Sequence, residues 1–417
     1  RTAIPEKLST IFSLALKATI LIWSLSFARP FEVAICLSQE NITMLFSASN
    51  SNIIFVGNCK SPSAILIEPN NGKILYELNP HERRNPASVT KLMTLLVAIE
   101  AIKNGRAQYE DIVVASENAW RLGGSQIYLE PGEEMTLKEL LLAIAVGSAN
   151  DACVAVAEHL YGTHEAFVKV MNDKAQELGL KNTHFVNAYG LFAEEHYTSA
   201  YDVAQIAREA LKHQEILQLT SVKHYRLRED TNKPFQLDNT NKLLWWYKGA
   251  DGFKTGWIGP ESGYCLAATA ERDGLRLIAV VLGAEQHRGN FRDTMILFNH
   301  GFAQYEFKEF LKKGQEIGKV KVEKGTQDYI TAVTQDRVGV IIEKGNVEGL
   351  DTKIEMLPNI TAPVKAGEMI GRVTIIKNEE ILDEFQLISK ENVEAGSIWR
   401  QYSKLFKNIV GFSSAAL

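Results

Sequence analysis

Three short clusters in the 417-residue chain have residue types and spacing suited to acyl transfer. The first is Ser88-Val89-Thr90-Lys91, the only Ser-x-x-Lys in the sequence. Residues three apart on a helix are neighbours, about 5–6 Å between Cβ atoms, so the lysine amine can reach the serine hydroxyl as a base reaches its nucleophile. The pair works only if Lys91 is largely neutral, which calls for desolvation and a second cation nearby. A helix N-terminus beside Ser88 adds a favourable field for a developing oxyanion. Lys254-Thr255-Gly256 supplies that cation, a hydroxyl for a carboxylate, and a glycine that lets a substrate backbone approach closely. Ser148-Ala149-Asn150 offers a hydroxyl to relay a proton and an amide to hold a substrate peptide group, although Asn150 also reads as the N-cap of the following helix. A second Ser-x-Asn, Ser116-Glu117-Asn118, is set aside because it does not lie at the broken end of an apolar helix.

The elements that must position these groups follow from local pattern. Apolar runs flank Pro69-Asn70-Asn71-Gly72 and predict a β-hairpin over 64–77. Asn85-Pro86 opens a helix whose apolar residues Leu92, Met93, Leu96 and Ile99 recur at helical spacing, and Asn104-Gly105 ends it. Thr136-x-x-Glu139 is a capping box, and its helix runs apolar to Val146 before breaking at Gly147-Ser148. Helix is predicted to continue from Asp151 to about Leu211. After Lys254, two apolar strands flank Arg272-Asp273-Gly274 as a second hairpin. Beyond Lys319 short alternating runs, including 320–322, 329–333, 338–342 and 372–376, predict a small all-β domain with no catalytic constellation of its own.

Composition narrows the function classes. The chain is 46% hydrophobic and 23% charged, with 45 Lys+Arg against 50 Asp+Glu, so it is globular and carries no basic field for a nucleic-acid partner. Cys36, Cys59, Cys153 and Cys265 stand far apart, without metal-ligand spacing, and read as mostly buried thiols. His184 and His196 lack an accompanying ligand motif and read as structural hydrogen-bonders, so no metal and no cofactor is expected. Residues 1–28 carry cations ahead of a short apolar run ending in Ser26-Phe27-Ala28, the order of a secretory signal peptide; an uncleaved anchor is the alternative. Residues 29–60 read as a leader or linker. Residues 392–417 place Ile398, Tyr402, Leu405, Phe406, Ile409 and Val410 on one face of a basic amphipathic helix, suited to a membrane interface or to docking on the protein's own core.

Taken in order, Ser-x-x-Lys, Ser-x-Asn and Lys-Thr-Gly form a specific signature. With it the chain resembles the penicillin-binding, serine-type D-Ala-D-Ala carboxypeptidases, the low-molecular-mass, peptidase S11-like group. The likeness extends over roughly residues 60–305 and includes 178–190 (LGLKNTHFVNAYG), 196–207, 239–243 and Gly263-Tyr264-Cys265. It implies an α+β fold: a β-lactamase/transpeptidase-like catalytic domain (61–305) with an antiparallel sheet and a helical cluster, then a β-rich stalk (306–391) and the amphipathic anchor. It implies further that Ser88 is acylated by the penultimate D-Ala of a peptidoglycan stem peptide, Lys91 takes its proton, and Ser148 protonates the departing D-Ala. Asn150 would then bind the substrate amide, Lys254 and Thr255 the terminal carboxylate, and the N–H groups of Ser88 and Trp257, next to Gly256, the oxyanion. β-lactams would be covalent inhibitors, and the site of action would be the outer face of the cytoplasmic membrane. Some relatives have His after Lys-Thr-Gly where this chain has Trp257, a difference that leaves the main-chain donor in place. A β-lactamase and an inert wall-binding scaffold are the competing readings. The first would need a Glu in the 178–191 stretch, which has none, and the second is at odds with the intact motifs.

Overall fold

The structure, a computed structural model, describes residues 59–402 and the backbone of the strand pair Val33–Leu37 and Ile42–Phe46. That hairpin lies in the segment read as leader or linker and belongs to a unit ending at Cys59, separate from the rest of the chain. The signal-peptide reading of 1–28 falls outside the described residues. So does most of the C-terminal amphipathic helix: 398–402 are helical, with Ile398, Trp399 and Tyr402 exposed, and 403–417 lie beyond. Among the described residues no helix is long and apolar enough to cross a membrane.

The part of the chain before residue 305 is organised by a five-stranded antiparallel sheet in the order Ile74–Leu78, Ser63–Ile67, Leu275–Ala284, Tyr264–Arg272, Ala250–Gly256. Both hairpins expected from turn chemistry are its building blocks. Strand alternation explains why the inner strands read as unbroken apolar runs, since both faces are covered. Ile65, Ile67, Ile278, Val280 and Leu282 face the main core, which also contains the helices Lys91–Lys103, Asn150–Tyr161 and Ala200–Leu211. Leu66 and Leu277 point the other way, where Gly301 of the helix Gly289–Gln304 sits so close that a Cβ there would lie 2.5 Å from Leu277 Cδ1.

The capping box forms as predicted, Thr136 and Glu139 each satisfying the other's backbone N–H ahead of the helix Leu137–Leu142. That helix widens into a π turn over Ala143–Gly147 and stops at Ser148, whose backbone is left-handed (φ 61°, ψ 31°). Helix does not continue unbroken from Asp151 to Leu211. Asn150–Tyr161 and His164–Glu177 are separate, and 178–199 is irregular, tied down by two isolated bridges, Arg84 with Thr198 and His184 with Tyr197. Gly162 (φ +83°) and Gly179 (φ +69°) take left-handed conformations after the two helices, which is the physical reason that helical periodicity overran.

The β domain begins at once after Gln304, with Tyr305–Leu311 pairing Val338–Glu343. A six-stranded sheet follows, ordered Leu350–Met356, Met369–Lys377, Glu380–Ser389, Tyr329–Thr334, Glu316–Glu323, Asn359–Thr361. It meets the part before residue 305 at the tip of the second hairpin: Arg337 donates to the Gly274 carbonyl (2.8 Å) and its guanidinium covers Phe307 (4.1 Å to the ring centroid).

One glycine in the irregular segment carries a testable constraint. Gly190 has φ +85°, and a Cβ there would fall 1.9 Å from the Ala87 carbonyl oxygen, whereas Gly179 is equally left-handed with nothing within 4 Å. Both alanine substitutions bear the backbone cost of about 1–2 kcal/mol, and only Gly190→Ala adds a clash with main chain. Gly190→Ala is expected to lose at least about 2 kcal/mol more than Gly179→Ala in urea unfolding, and equal losses would contradict this packing.

Candidate active site

Ser88 lies in a tight 3₁₀ turn, Ala87–Thr90, that feeds directly into the helix starting at Lys91. Asn85 Oδ1 accepts from the Ala87 N–H (2.8 Å), and Ala87 itself has φ +47°, so the turn is bent sharply to present Ser88. Lys91 is fully buried. Its Nζ lies 2.9 Å from Ser88 Oγ, 2.7 Å from Asn150 Oδ1 and 2.6 Å from the Tyr189 carbonyl oxygen. A neutral amine has two N–H groups and one lone pair. With the two N–H groups on Asn150 and Tyr189, the lone pair is left facing the Ser88 hydroxyl.

Burial lowers the Lys91 pKa from 10.5 to about 8, against the opposing pull of Cys153 and Asp151. Desolvation is therefore the main cause, where the sequence pointed equally to a second cation. Lys254, also buried, is pushed well below its ordinary value by desolvation and then by the charge of Lys91, so the mutual repulsion registers mainly at Lys254. Lys254 Nζ donates to its neighbour's carbonyl, Thr255 O (3.1 Å), and Thr255 Oγ1 donates to Thr240 Oγ1 (2.6 Å). A Cβ at Gly256 would lie 2.7 Å from the Pro86 carbonyl oxygen and 3.0 Å from the Ser88 N. Glycine is required there because the strand end presses on the Ser88 turn.

Asn150 is not the N-cap of its helix. Ala149 takes the N-cap position without a side-chain bond. The Asn150 side chain is anchored inside the protein, Oδ1 accepting from Lys91 and one Nδ2 hydrogen donated to the Gly123 carbonyl (2.7 Å). Its own N–H donates to Ser125 O (2.7 Å), and the buried Asp151 carboxylate accepts from the Ile127 and Leu129 N–H groups, so one helix start pins the whole 123–129 loop. On the other side Asn187 Oδ1 gathers the N–H groups of Tyr189 (3.2 Å) and Gly190 (2.6 Å), fixing the carbonyl that meets Lys91. His196 Nδ1 accepts from the Val186 N–H (3.0 Å), which puts the ring proton on Nε2, facing Thr90 Oγ1 at 2.9 Å. Burial takes its pKa down to about 4, so it is a neutral tie between this loop and the Ser88 turn. His184 is likewise structural, its Nδ1 on the Glu195 carbonyl (2.7 Å).

Ser88, Ser148, Thr255, Gly256 and Trp257 line one cleft of about 260 Å³, while Lys91, Asn150 and Lys254 lie buried behind its wall. Its remaining walls include Ser125, Thr240, Tyr264, His287 and Arg288, none of which local spacing identified. Only Thr240 and Tyr264 carried a signal, through the quoted stretches 239–243 and 263–265. No carboxylate lines the cleft among the described residues, so nothing there matches the water-activating Glu of a β-lactamase. Cys153 and Cys265 are buried thiols, pushed up to about 12 and about 11 by burial, which fits packing and not redox chemistry; Cys59 is half-buried, and the side chain of Cys36 lies outside the described residues. One group of metal-ligand types converges elsewhere, Glu100, Glu209 and His213, but lysines already hold both carboxylates: Lys174 on Glu100 (3.0 Å) and Lys212 on Glu209 (2.6 Å).

Comparison with known proteins decides what this geometry belongs to. A family model described as D-alanyl-D-alanine carboxypeptidase matches residues 48–286, and one described as penicillin-binding protein 5, C-terminal domain, matches 305–395. The chain belongs to the D-alanyl-D-alanine carboxypeptidase family. It is 45% identical over 336 residues to the D-alanyl-D-alanine carboxypeptidase DacF of Bacillus subtilis, covering 80% of this chain and 86% of that one. Penicillin-binding protein 5 of Haemophilus influenzae superposes with a TM-score of 0.63 at 32% identity, over 81% of this chain and 98% of that one. Penicillin-binding protein D2 of Listeria monocytogenes, solved in an ampicillin-bound form, matches 58% of this chain and 97% of its own, with a TM-score of 0.52 and 32% identity. This D-Ala-D-Ala carboxypeptidase is thus a serine-type peptidase with a catalytic domain and a C-terminal β domain, and the β-lactamase and scaffold readings give way.

The lowered Lys91 pKa sets a pH profile. If Lys91 is the base that takes the Ser88 proton, the amine must be neutral, and acylation should rise about tenfold per pH unit below its pKa of about 8 and level off above it. Stopped-flow acylation by a chromogenic β-lactam between pH 6 and 9.5 measures this, and a flat profile would remove Lys91 as the base.

Proposed function

We propose that the chain removes the terminal D-alanine from peptidoglycan stem peptides through an acyl-enzyme on Ser88. The observation that carries this is the buried Lys91 amine 2.9 Å from the Ser88 oxygen, with its two other directions filled by fixed acceptors. Lys91 takes the Ser88 proton, and Oγ attacks the carbonyl between the two D-alanines. The N–H groups of Ser88 and Trp257, held together by the contact at Gly256, receive the oxyanion. Ser148, which also lines the cleft, passes a proton to the leaving amine. Thr255, with Thr240 beside it, receives the terminal carboxylate, and Lys254 supports it from beneath through field and backbone. Asn150 orients Lys91 through Oδ1 and, with one Nδ2 hydrogen on Gly123, offers its second to the substrate amide. Water then releases the shortened peptide.

The same cleft takes β-lactams as covalent inhibitors, in keeping with the ampicillin-bound relative. The protein acts on the bacterial cell wall, exported and held at the outer face of the cytoplasmic membrane. Support for that placement is the order of charges and apolar residues in 1–28 and the basic amphipathic pattern of 392–417.

Two measurements test these roles. D-alanine release from a pentapeptide should fall at least about 10⁴-fold in Ser88→Ala and in Lys91→Ala, with loss of covalent labelling by a fluorescent penicillin and an unchanged circular-dichroism spectrum. Retained labelling in Lys91→Ala would overturn the base assignment. Truncation after residue 396 should free the protein from membranes with soluble activity intact, and unchanged membrane retention would refute the anchor.

A further inference from the structure

Trp257 is more than half exposed (56%) on the wall of the cleft. The register pairs Cys265 with Gly256 and Leu266 with Thr255, so the next step brings Trp257 opposite Tyr264. The two rings stack with centroids 5.7 Å apart and planes 15° from parallel, and Tyr264 meets His287 edge-on at 5.6 Å. Side chains alternate along an extended segment. Gly256 faces the nucleophile turn, so Thr255 and Trp257 both face the cleft, roughly 7 Å apart.

This inference rests on the carboxypeptidase reading above, in which Thr255 takes the terminal carboxylate. An extended peptide advances about 3.4 Å per residue, the repeat of the strand it lies against. With its terminal D-Ala at Thr255 and the penultimate one beside Gly256 and Ser88, the residue before the two D-alanines falls at Trp257. We propose that the Trp257 indole, braced by Tyr264, is the binding surface for the aliphatic side chain of that third residue, and that it makes the enzyme selective for a long chain over a short one. A four-carbon chain lying across an exposed indole removes apolar area of both from water, whereas a methyl group leaves most of the ring wet. The far end of the chain stays in solvent, so selection is for length and not for terminal charge.

The test is kcat/KM for three tripeptides, Nα-acetyl-L-X-D-Ala-D-Ala, with X as Lys, Nε-acetyl-Lys or Ala. The purified protein should favour both lysine forms over Ala by about tenfold, and by similar factors. Trp257→Ala should bring that ratio below about threefold, and Trp257→Phe should restore most of it, with thermal midpoints unchanged. Equal rates for Lys and Ala in the unaltered protein, or a ratio that survives Trp257→Ala, would overturn the inference while leaving the activity standing. If no tripeptide is hydrolysed and Ser88 takes up no fluorescent penicillin, the carboxypeptidase reading fails and this inference fails with it.

Discussion

The structure depends on keeping one amine dry. A drop in the Lys91 pKa from 10.5 to about 8 corresponds to roughly 3 kcal/mol against its charged form. Only a site sealed on every side can sustain that, and the sealing comes from the middle of the fold. The helix Asn150–Tyr161 is built largely of small residues, with Ala152, Cys153, Ala155, Val156 and Ala157 buried, so it can approach the Ser88 helix closely enough to exclude water. Two fixed oxygens, from Asn150 and Tyr189, then hold the amine without giving it a full counter-charge. A carboxylate in either place would stabilise the ammonium and raise the Lys91 pKa again.

Precision at the site comes from irregular backbone that regular elements clamp. Ser148 sits left-handed after a π turn, Ala87 has positive φ just before the nucleophile, and the 186–190 segment is neither helix nor strand. Each is over-determined. Thr94 Oγ1 holds the Ala188 carbonyl (2.5 Å), Asn187 gathers two N–H groups, and His196 bridges to Thr90. Local strain at functional positions persists only when surrounding contacts leave no alternative.

Local sequence patterns explain how much could be read in advance. The hairpins at 69–72 and 272–274, the capping box at Thr136 and the break at Gly147-Ser148 rest on local chemistry and appear as read. The three motifs were found because each has a short fixed spacing. What stayed hidden depends on distant partners. Asn150 looked like a cap or a substrate ligand, and only the fold brings Lys91 and Gly123 to its two ends. Residues 178–199 carry helical composition, yet two left-handed glycines and the ties of Asn182 and Thr183 to Asp202 make them a loop. Arg288 and His287 reach the cleft from the turn between the strand Leu275–Ala284 and the helix Gly289–Gln304, which no motif records. The strand Tyr305–Leu311 (YEFKEFL) mixes charge with aromatics and pairs at a domain edge, where alternation is weak.

The grip of Arg337 on Gly274 has a geometric consequence. The strand Tyr264–Arg272 carries the cleft wall at its first residue and ends beside the turn that the β domain grasps. At about 3.3 Å per residue these ends stand some 26 Å apart. No described residue of the second domain lines the opening. A meshwork polymer many times wider than the enzyme can lay a single strand tip across the mouth without first pushing a neighbour aside.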